Sequence, residues 1–472
     1  MRSVSKGLST RSLAIAVAQT KDCLRLYTLK ILEQRSKLMP TMPLNMTRRA
    51  KRLSEQRWLL DAIISLMGPD WDQGRLGYMS SACGHDSQGD FIGLRQRIKT
   101  YNDMTREFMQ AARRRELRAE AELKQGHEST ARESFFTASV LYGGAQWSIE
   151  ANTPLNLNLN QKKTDCYAKF IQLAGRHIEP LDVPFEDRSV PAILSLPPTY
   201  KHGDRVPCVV IISGMDGWKE LSVAMDGDKW LQRGFAVLAI DGPGQGEALI
   251  REVWYDPDTY GKLGSSTFDL AAARPEIDPS RIVVHGLSFG SYWATTLAAA
   301  EPRFLACGVA MTCFEAGGFS LFETASPTFK LRFMYMTGAT DEAELDRIAQ
   351  KLDVFKLAPQ IKCPVLVAAG EDDQLSDSHY TFDFLNSLTG AKSLIFYEGE
   401  DHGMHASRAG QLGPEAYTMV ADWLSDRVRG IEAQSMYTEV DATGMVHVEP
   451  WGDQREYTYG ITENTKKLIF GN

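Results

Sequence analysis

The sequence predicts an α/β protein whose doubly wound, mostly parallel sheet follows an N-terminal helical module. Three observations carry this. Apolar residues recur at helical spacing through residues 52–175, and from His177 the period shortens to that of strands. The strand-like runs then alternate with helical stretches, the rhythm of parallel strands joined by crossovers. Finally, Arg281-Ile282-Val283-Val284 reads as a buried strand that runs into Gly286-Leu287-Ser288-Phe289-Gly290, after which Ser291–Ala300 reads as a small-residue helix. The expected divisions are a basic extension over 1–50, the helical module over 51–182 and a sheet domain over 183–430. An insert at 313–362 and a tail over 431–472 complete them.

In chain order, Met1–Leu38 has no acid before Asp22 and carries Arg2, Lys6, Arg11 and Lys21. It reads as a disordered extension, or as sequence upstream of a start at Met39, Met42 or Met46; its composition also fits a transit peptide. Leu59, Leu60, Ile63, Ile64 and Met67 form a first helical stripe, and Leu94, Ile98, Tyr101, Met104, Phe108 and Ala112 a second. A third runs through Ala131, Phe135, Ala138, Tyr142 and Ala145, then a polar loop at 152–160 precedes another helix over 160–175. Ile178–Phe185 and Val190–Leu196 read as a hairpin about Glu186-Asp187-Arg188. Strands follow at Val206–Ile212, Phe235–Ile240, the elbow strand, Leu305–Met311, Cys363–Ala369 and Ser393–Tyr397. Ala343–Val354 is helical within a lid-like insert, and Tyr437–Trp451 suggests a last hairpin.

Composition narrows the function. Residues 1–58 carry a charge of +10, which leaves −18 on the rest of a chain whose net charge is −8. That acidic body argues against nucleic-acid binding. Seven cysteines without a C-x-x-C pair suit a reducing compartment such as the cytoplasm, and argue against a disulfide framework and a structural zinc. Organelle targeting by the basic N-terminus is the alternative location. No apolar run is long enough to span a membrane. The expected partner is a small-molecule substrate, with no cofactor and no metal, and a homodimer is the assembly allowed for.

The chemistry centres on Ser288. Glycines on both sides of it permit a tight turn between strand and helix, which stands the hydroxyl above the sheet edge. A serine needs a base to take its proton and an acid to orient that base. Past Ser288, Asp373 follows the strand CPVLVAAG and His402 follows SLIFYEG, so both sit at carboxyl ends of strands, where open sheets place their sites. Asp372 and His405 are the near rivals; His379 reads as helical and His285 as part of the elbow strand. Oxyanion donors are expected from the Phe289 amide and from the loop after Val206–Ile212, at Met215 or alternatively Gly214. Glu315, delivered by the strand Leu305–Met311, is a candidate auxiliary acid if the bond cleaved is C–C, with helix capping as its plain alternative.

The segments SGMDGWKE, DGPGQGE, RPEIDPSRIVVHGLSFGSYWA, AAGEDDQ and EGEDHGMH resemble the α/β-hydrolases that carry an N-terminal helical cap. That group includes 2,6-dihydroxypseudooxynicotine hydrolase and the fungal yellowish-green polyketide-shortening hydrolases. In the cap, WDQGRLGY and ARESFFTASVLYGGAQW are similar to fungal hydrolases of fusarin- and cytochalasan-type pathways. The resemblance spans about Arg52–Arg429, and Ser291 stands where many of the group have glycine. It implies a Ser-His-Asp enzyme acting on a ketonic secondary metabolite by C–C, ester or lactam cleavage or by assisted ring closure. A general carboxylesterase, thioesterase or acyltransferase is the alternative; a catalytically silent binding protein is the alternative of another class.

Overall fold

The computed structural model describes residues 51–225 and 228–457. The transit-peptide and extension readings of residues 1–50 therefore lie outside the described residues.

Six helices open the described chain: α1 (Lys51–Met67), α2 (Arg75–Cys83), α3 (Gln88–Arg97), α4 (Tyr101–Lys124), α5 (Glu128–Gln146) and α6 (Pro154–Leu173). Two of them depart from the sequence reading. The stripe from Leu94 to Ala112 is broken, because Ile98 is extended and Asp103 Oδ2 accepts from Thr100 N–H at 2.9 Å, which restarts the helix as α4. The expected loop at 152–160 is helical from Pro154, where Thr153 Oγ1 accepts from Asn156 N–H and proline occupies the first turn.

Ten strands form one sheet: β1 (Ile178–Phe185), β2 (Arg188–Ser195), β3 (Val206–Ile212), β4 (Ala236–Ile240), β5 (Ile277–Leu287), β6 (Cys307–Ala310), β7 (Val365–Gly370), β8 (Lys392–Tyr397), β9 (Met436–Val440) and β10 (Val446–Pro450). Their order is β1-β2-β4-β3-β5-β6-β7-β8-β9-β10. Pairing is parallel from β4 across to β9 and antiparallel only at the two margins. β1 carries residues on both sides of position 183, and β9 and β10 come from the 431–472 segment.

The central strands are buried on both faces, so they read as unbroken apolar runs. Alternate residues serve two cores. Cys208, Val210 and Ile212 face the core shared with the helical module, while Val209 and Ile211 face the one that holds Trp230 and Leu424. Helices α7 (Thr259–Ala272) and α8 (Phe289–Ala300) cover the first face, and α12 (Ala416–Val428) packs on the second. Between β6 and β7 lie α9 (Pro327–Thr337) and α10 (Glu342–Ala349), and α11 (Ser378–Ser387) follows β7. The sequence reading assigned no helix at α9.

Buried ion pairs add to the apolar core that the module shares with the sheet. Lys163 pairs with Glu220 at 3.3 Å, and Arg332 of α9 with Glu150 at 3.2 Å. Among the described residues no disulfide joins any cysteine, and no helix is long and apolar enough to cross a membrane.

His285, near the carboxyl end of β5, is buried against Trp230, with Nδ1 2.8 Å from Gly308 O and no partner for Nε2. Burial pushes its pKa down to about 4. Between pH 6.5 and 4 the unfolded chain therefore binds a proton that the folded chain refuses. Stability present above pH 6.5 is lost as the pH falls through this window, by roughly 3 kcal/mol. His285→Asn should lose less stability than the parent on acidification from pH 7 to 4, as followed by urea unfolding. Parallel losses in the two proteins would contradict this.

Candidate active site

β3 is the point where the strand order turns: β4 lies on one side of it and β5 on the other. Crevices at such points, outside the carboxyl ends of the strands, are where open sheets bind ligands. The loops after β3, β5, β7 and β8 all open there.

At the end of β5, Ser288 holds φ 55° and ψ −128°, a conformation that a side-chain-bearing residue rarely adopts. The flanking glycines are required by contact. A Cβ at Gly286 would lie 2.1 Å from Gly290 O, and one at Gly290 would lie 2.3 Å from Ile212 O.

The loops after β7 and β8 bring Asp373 and His402 to this serine. His402 Nε2 is 2.9 Å from Ser288 Oγ, and His402 Nδ1 is 2.8 Å from Asp373 Oδ2. Asp373 Oδ1 also accepts from Leu375 N–H at 2.9 Å and from Ser376 N–H. A carboxylate only accepts, so the imidazole proton sits on Nδ1 and Nε2 presents its lone pair to the hydroxyl. The rivals stand elsewhere. Asp372 is exposed, with its backbone N–H on Glu400 O. His405 is exposed at the cavity rim beside Tyr417, and His379 pairs with its neighbour Asp377.

The loop after β3 presses on the serine, since a Cβ at Gly214 would lie 2.8 Å from Ser288 Cβ. The Gly214 and Met215 amides donate to no other described group. The Phe289 amide begins α8, where first-turn N–H groups have no partner within the helix and carry its positive end. Gln245 Nε2 holds the loop by donating to Ser213 O at 2.7 Å and Gly214 O at 3.1 Å. From the module, Arg75 Nε and Nη2 reach Asp216 Oδ2 at 2.9 and 2.6 Å, and Trp147 Nε1–H donates to Asp216 Oδ1 at 2.8 Å. Sequence reasoning singled out neither Arg75 nor Trp147 for the site.

Glu315 is not brought to the serine's cavity. Its carboxylate accepts from Ser320 N–H at 2.7 Å and adjoins a separate small void beside Phe289 and Cys313. Cys313 is buried beside that void. Burial first, then the charge of Asp373, pushes its thiol well above the usual range and keeps it neutral.

Ser288 opens into a cavity of about 680 Å³. Met215, Leu287, Met311, Leu321, Phe329 and Leu375 give it an apolar body, and Asp401, His405 and Tyr417 a more polar side. Gly74, Gly77, Tyr78 and Ser81 of the α2 segment form another wall, and a Cβ at Gly74 or Gly77 would meet nothing within 4 Å. Among the described residues there is no cluster of three or more potential metal ligands.

A model of the prolyl oligopeptidase family matches residues 227–430. The chain is 28% identical over 351 residues to the 2,6-dihydropseudooxynicotine hydrolase of Paenarthrobacter nicotinovorans, covering 72% of this chain and 88% of that one. It is also 28% identical over 232 residues to the α/β hydrolase xenA of Xenoacremonium sinensis, covering 48% of this chain and 54% of that one. Among solved structures, 2,6-dihydroxy-pseudo-oxynicotine hydrolase superposes with a TM-score of 0.64 at 24% identity, over 77% of this chain and 97% of that one. The chain has the α/β-hydrolase fold, and these relatives are of the group to which its motifs pointed.

Proposed function

We propose that this chain is a serine hydrolase of a carbonyl-bearing small molecule, with a polyketide-derived metabolite as the substrate class. The observation that carries the reading is the Asp373–His402–Ser288 relay, with contacts of 2.8 and 2.9 Å, opening into a cavity of about 680 Å³. A cavity of that size, mostly apolar with a few polar groups, suits a compact organic metabolite. The polyketide class rests on the likeness of WDQGRLGY and ARESFFTASVLYGGAQW to the fungal hydrolases. The helical module acts as a cap, with α2 as the wall facing the nucleophile.

Ser288 Oγ adds to the substrate carbonyl carbon as His402 Nε2 takes its proton, and Asp373 stabilises the imidazolium. The carbonyl oxygen becomes an alkoxide, received by the amides of Phe289 and Met215, or Gly214 in its place. Collapse breaks the bond to the leaving group, which takes the proton back from His402. Water then adds to the acyl-enzyme by the same route and releases a carboxylic acid. An ester or lactam leaves through oxygen or nitrogen; a C–C substrate leaves through carbon, as an enol; an internal nucleophile in place of water closes a ring. No step calls on Glu315.

A fluorophosphonate probe tests the reading. The full-length protein should be labelled at Ser288 and should hydrolyse p-nitrophenyl acetate, and Ser288→Ala should do neither. Absence of both in the parent protein would leave a hydrolase-fold binding protein.

A further inference from the structure

The oxyanion loop is gripped from outside its own domain. Asp216 follows Met215 directly, and its carboxylate is held at both oxygens by helical-module residues, Arg75 on Oδ2 and Trp147 on Oδ1. Arg75 is 1% exposed, stacks on the Trp147 ring at 4.0 Å and also pairs with Asp72. Besides this grip the loop has the Gln245 bonds to Ser213 O and Gly214 O and its own turn, Gly217 N–H to Gly214 O at 3.2 Å. The Gly214 carbonyl that Gln245 holds shares its peptide plane with the Met215 N–H, and the other end of that plane, Met215 Cα, is held through Asp216. A peptide plane is rigid, so the direction of an N–H follows from what holds the residues flanking it.

We infer that Arg75, through Asp216, is a positioning residue that aims the Met215 amide at the oxyanion, which makes the helical module part of the catalytic apparatus as well as a wall of the cavity. The inference rests on the proposed serine-hydrolase reading. Its physical content is that an oxyanion donor works only where it is already aimed before charge develops. Arg75 suits the task because it stays charged and its planar fork lies over the Trp147 ring. Without it, Asp216 would be a nearly buried carboxylate short of its counter-charge, and the loop would shift to find water for it.

The test uses the full-length protein and p-nitrophenyl acetate, a substrate too small to need the cavity wall. Arg75→Met should lower kcat about a hundredfold, the scale of a lost oxyanion donor, with KM within about threefold of the parent. Affinity for a trifluoromethyl ketone should fall by the same factor, because its serine adduct carries an oxyanion. Affinity for the matching methyl ketone, which stays a ground-state ligand, should hold. A purely structural role would move both ketones together. Arg75→Lys, which keeps the charge but loses the fork, should recover part of the loss. Arg75→Met combined with Asp216→Asn should be little worse than either alone, since the pair acts as a unit. A cooperatively folded Arg75→Met variant with parental kcat and parental trifluoromethyl ketone affinity would overturn the inference while leaving the hydrolase reading intact. If Arg75→Met does not fold, Trp147→Phe removes one bond to Asp216 without disturbing charge. It should still lower kcat severalfold at unchanged KM, and no change in it overturns the inference. A parent protein that neither hydrolyses the ester nor reacts with a fluorophosphonate removes the reading on which the inference stands, and the inference with it.

Discussion

Ser288→Ala and His402→Ala should each lower turnover of the native substrate by about 10⁴- to 10⁶-fold, and the double variant should lose little more. The reason is the single 2.9 Å contact between Nε2 and Oγ. A hydroxyl without its base and a base without its hydroxyl are equally idle, so the second deletion removes a partner that already has nothing to act on. Steady-state kinetics on the three variants measures this directly. Losses that add would mean the two groups act separately, and the mechanism would have to be redrawn. The folded state is not at stake in Ser288→Ala, because the strained turn is fixed by Gly286, Gly290 and the backbone around them.

Asp373→Asn should cost about 10⁴-fold in kcat with the fold intact, and Asp372→Asn should be close to neutral. An amide at 373 can turn its NH₂ toward Nδ1. The imidazole proton then moves to Nε2, the nitrogen that must accept from Ser288. Nothing comparable attends position 372, whose side chain points to solvent. The pair is discriminating because the two residues are adjacent and chemically identical. A larger loss at 372 would reassign the acid.

The sheet was legible wherever strands are buried on both faces. Val206–Ile212 is bounded in the structure as it reads in the sequence, because a β-branched run closed by Ser-Gly has no competing pattern. The helical module was less legible at its breaks. A continuous apolar stripe hides the interruption at Ile98, since Leu94 and Tyr101 serve one core from two helices. At Pro154 the asparagines suggested a loop, yet the Thr-Pro pair before them is a helix start. Strand-end logic placed Asp373 and His402 at the edge where they meet Ser288. The same logic carried Glu315 to that edge, but its carboxylate accepts from Ser320 N–H at the start of the turn at 320–324, the capping that was its plain alternative. Arg75 could not be read at all. It lies in the segment WDQGRLGY, but its partner is 141 residues away and no spacing rule connects the two.

The last feature to consider is β9, which lies parallel beside β8 with Thr438 opposite Ile395. A ribosome releases the chain from its N-terminus, so the module, the serine turn and the acid's loop exist before β9 does. Until residues near 440 emerge, β8 is an apolar strand with an open edge, and the loop that leaves it holds His402. An open edge of this kind is the surface on which nascent chains join each other. Of Ser288, Asp373 and His402, His402 is thus the one seated last in synthesis. A chain stopped before β9 would carry Ser288 and Asp373 beside a strand edge with nothing to close it.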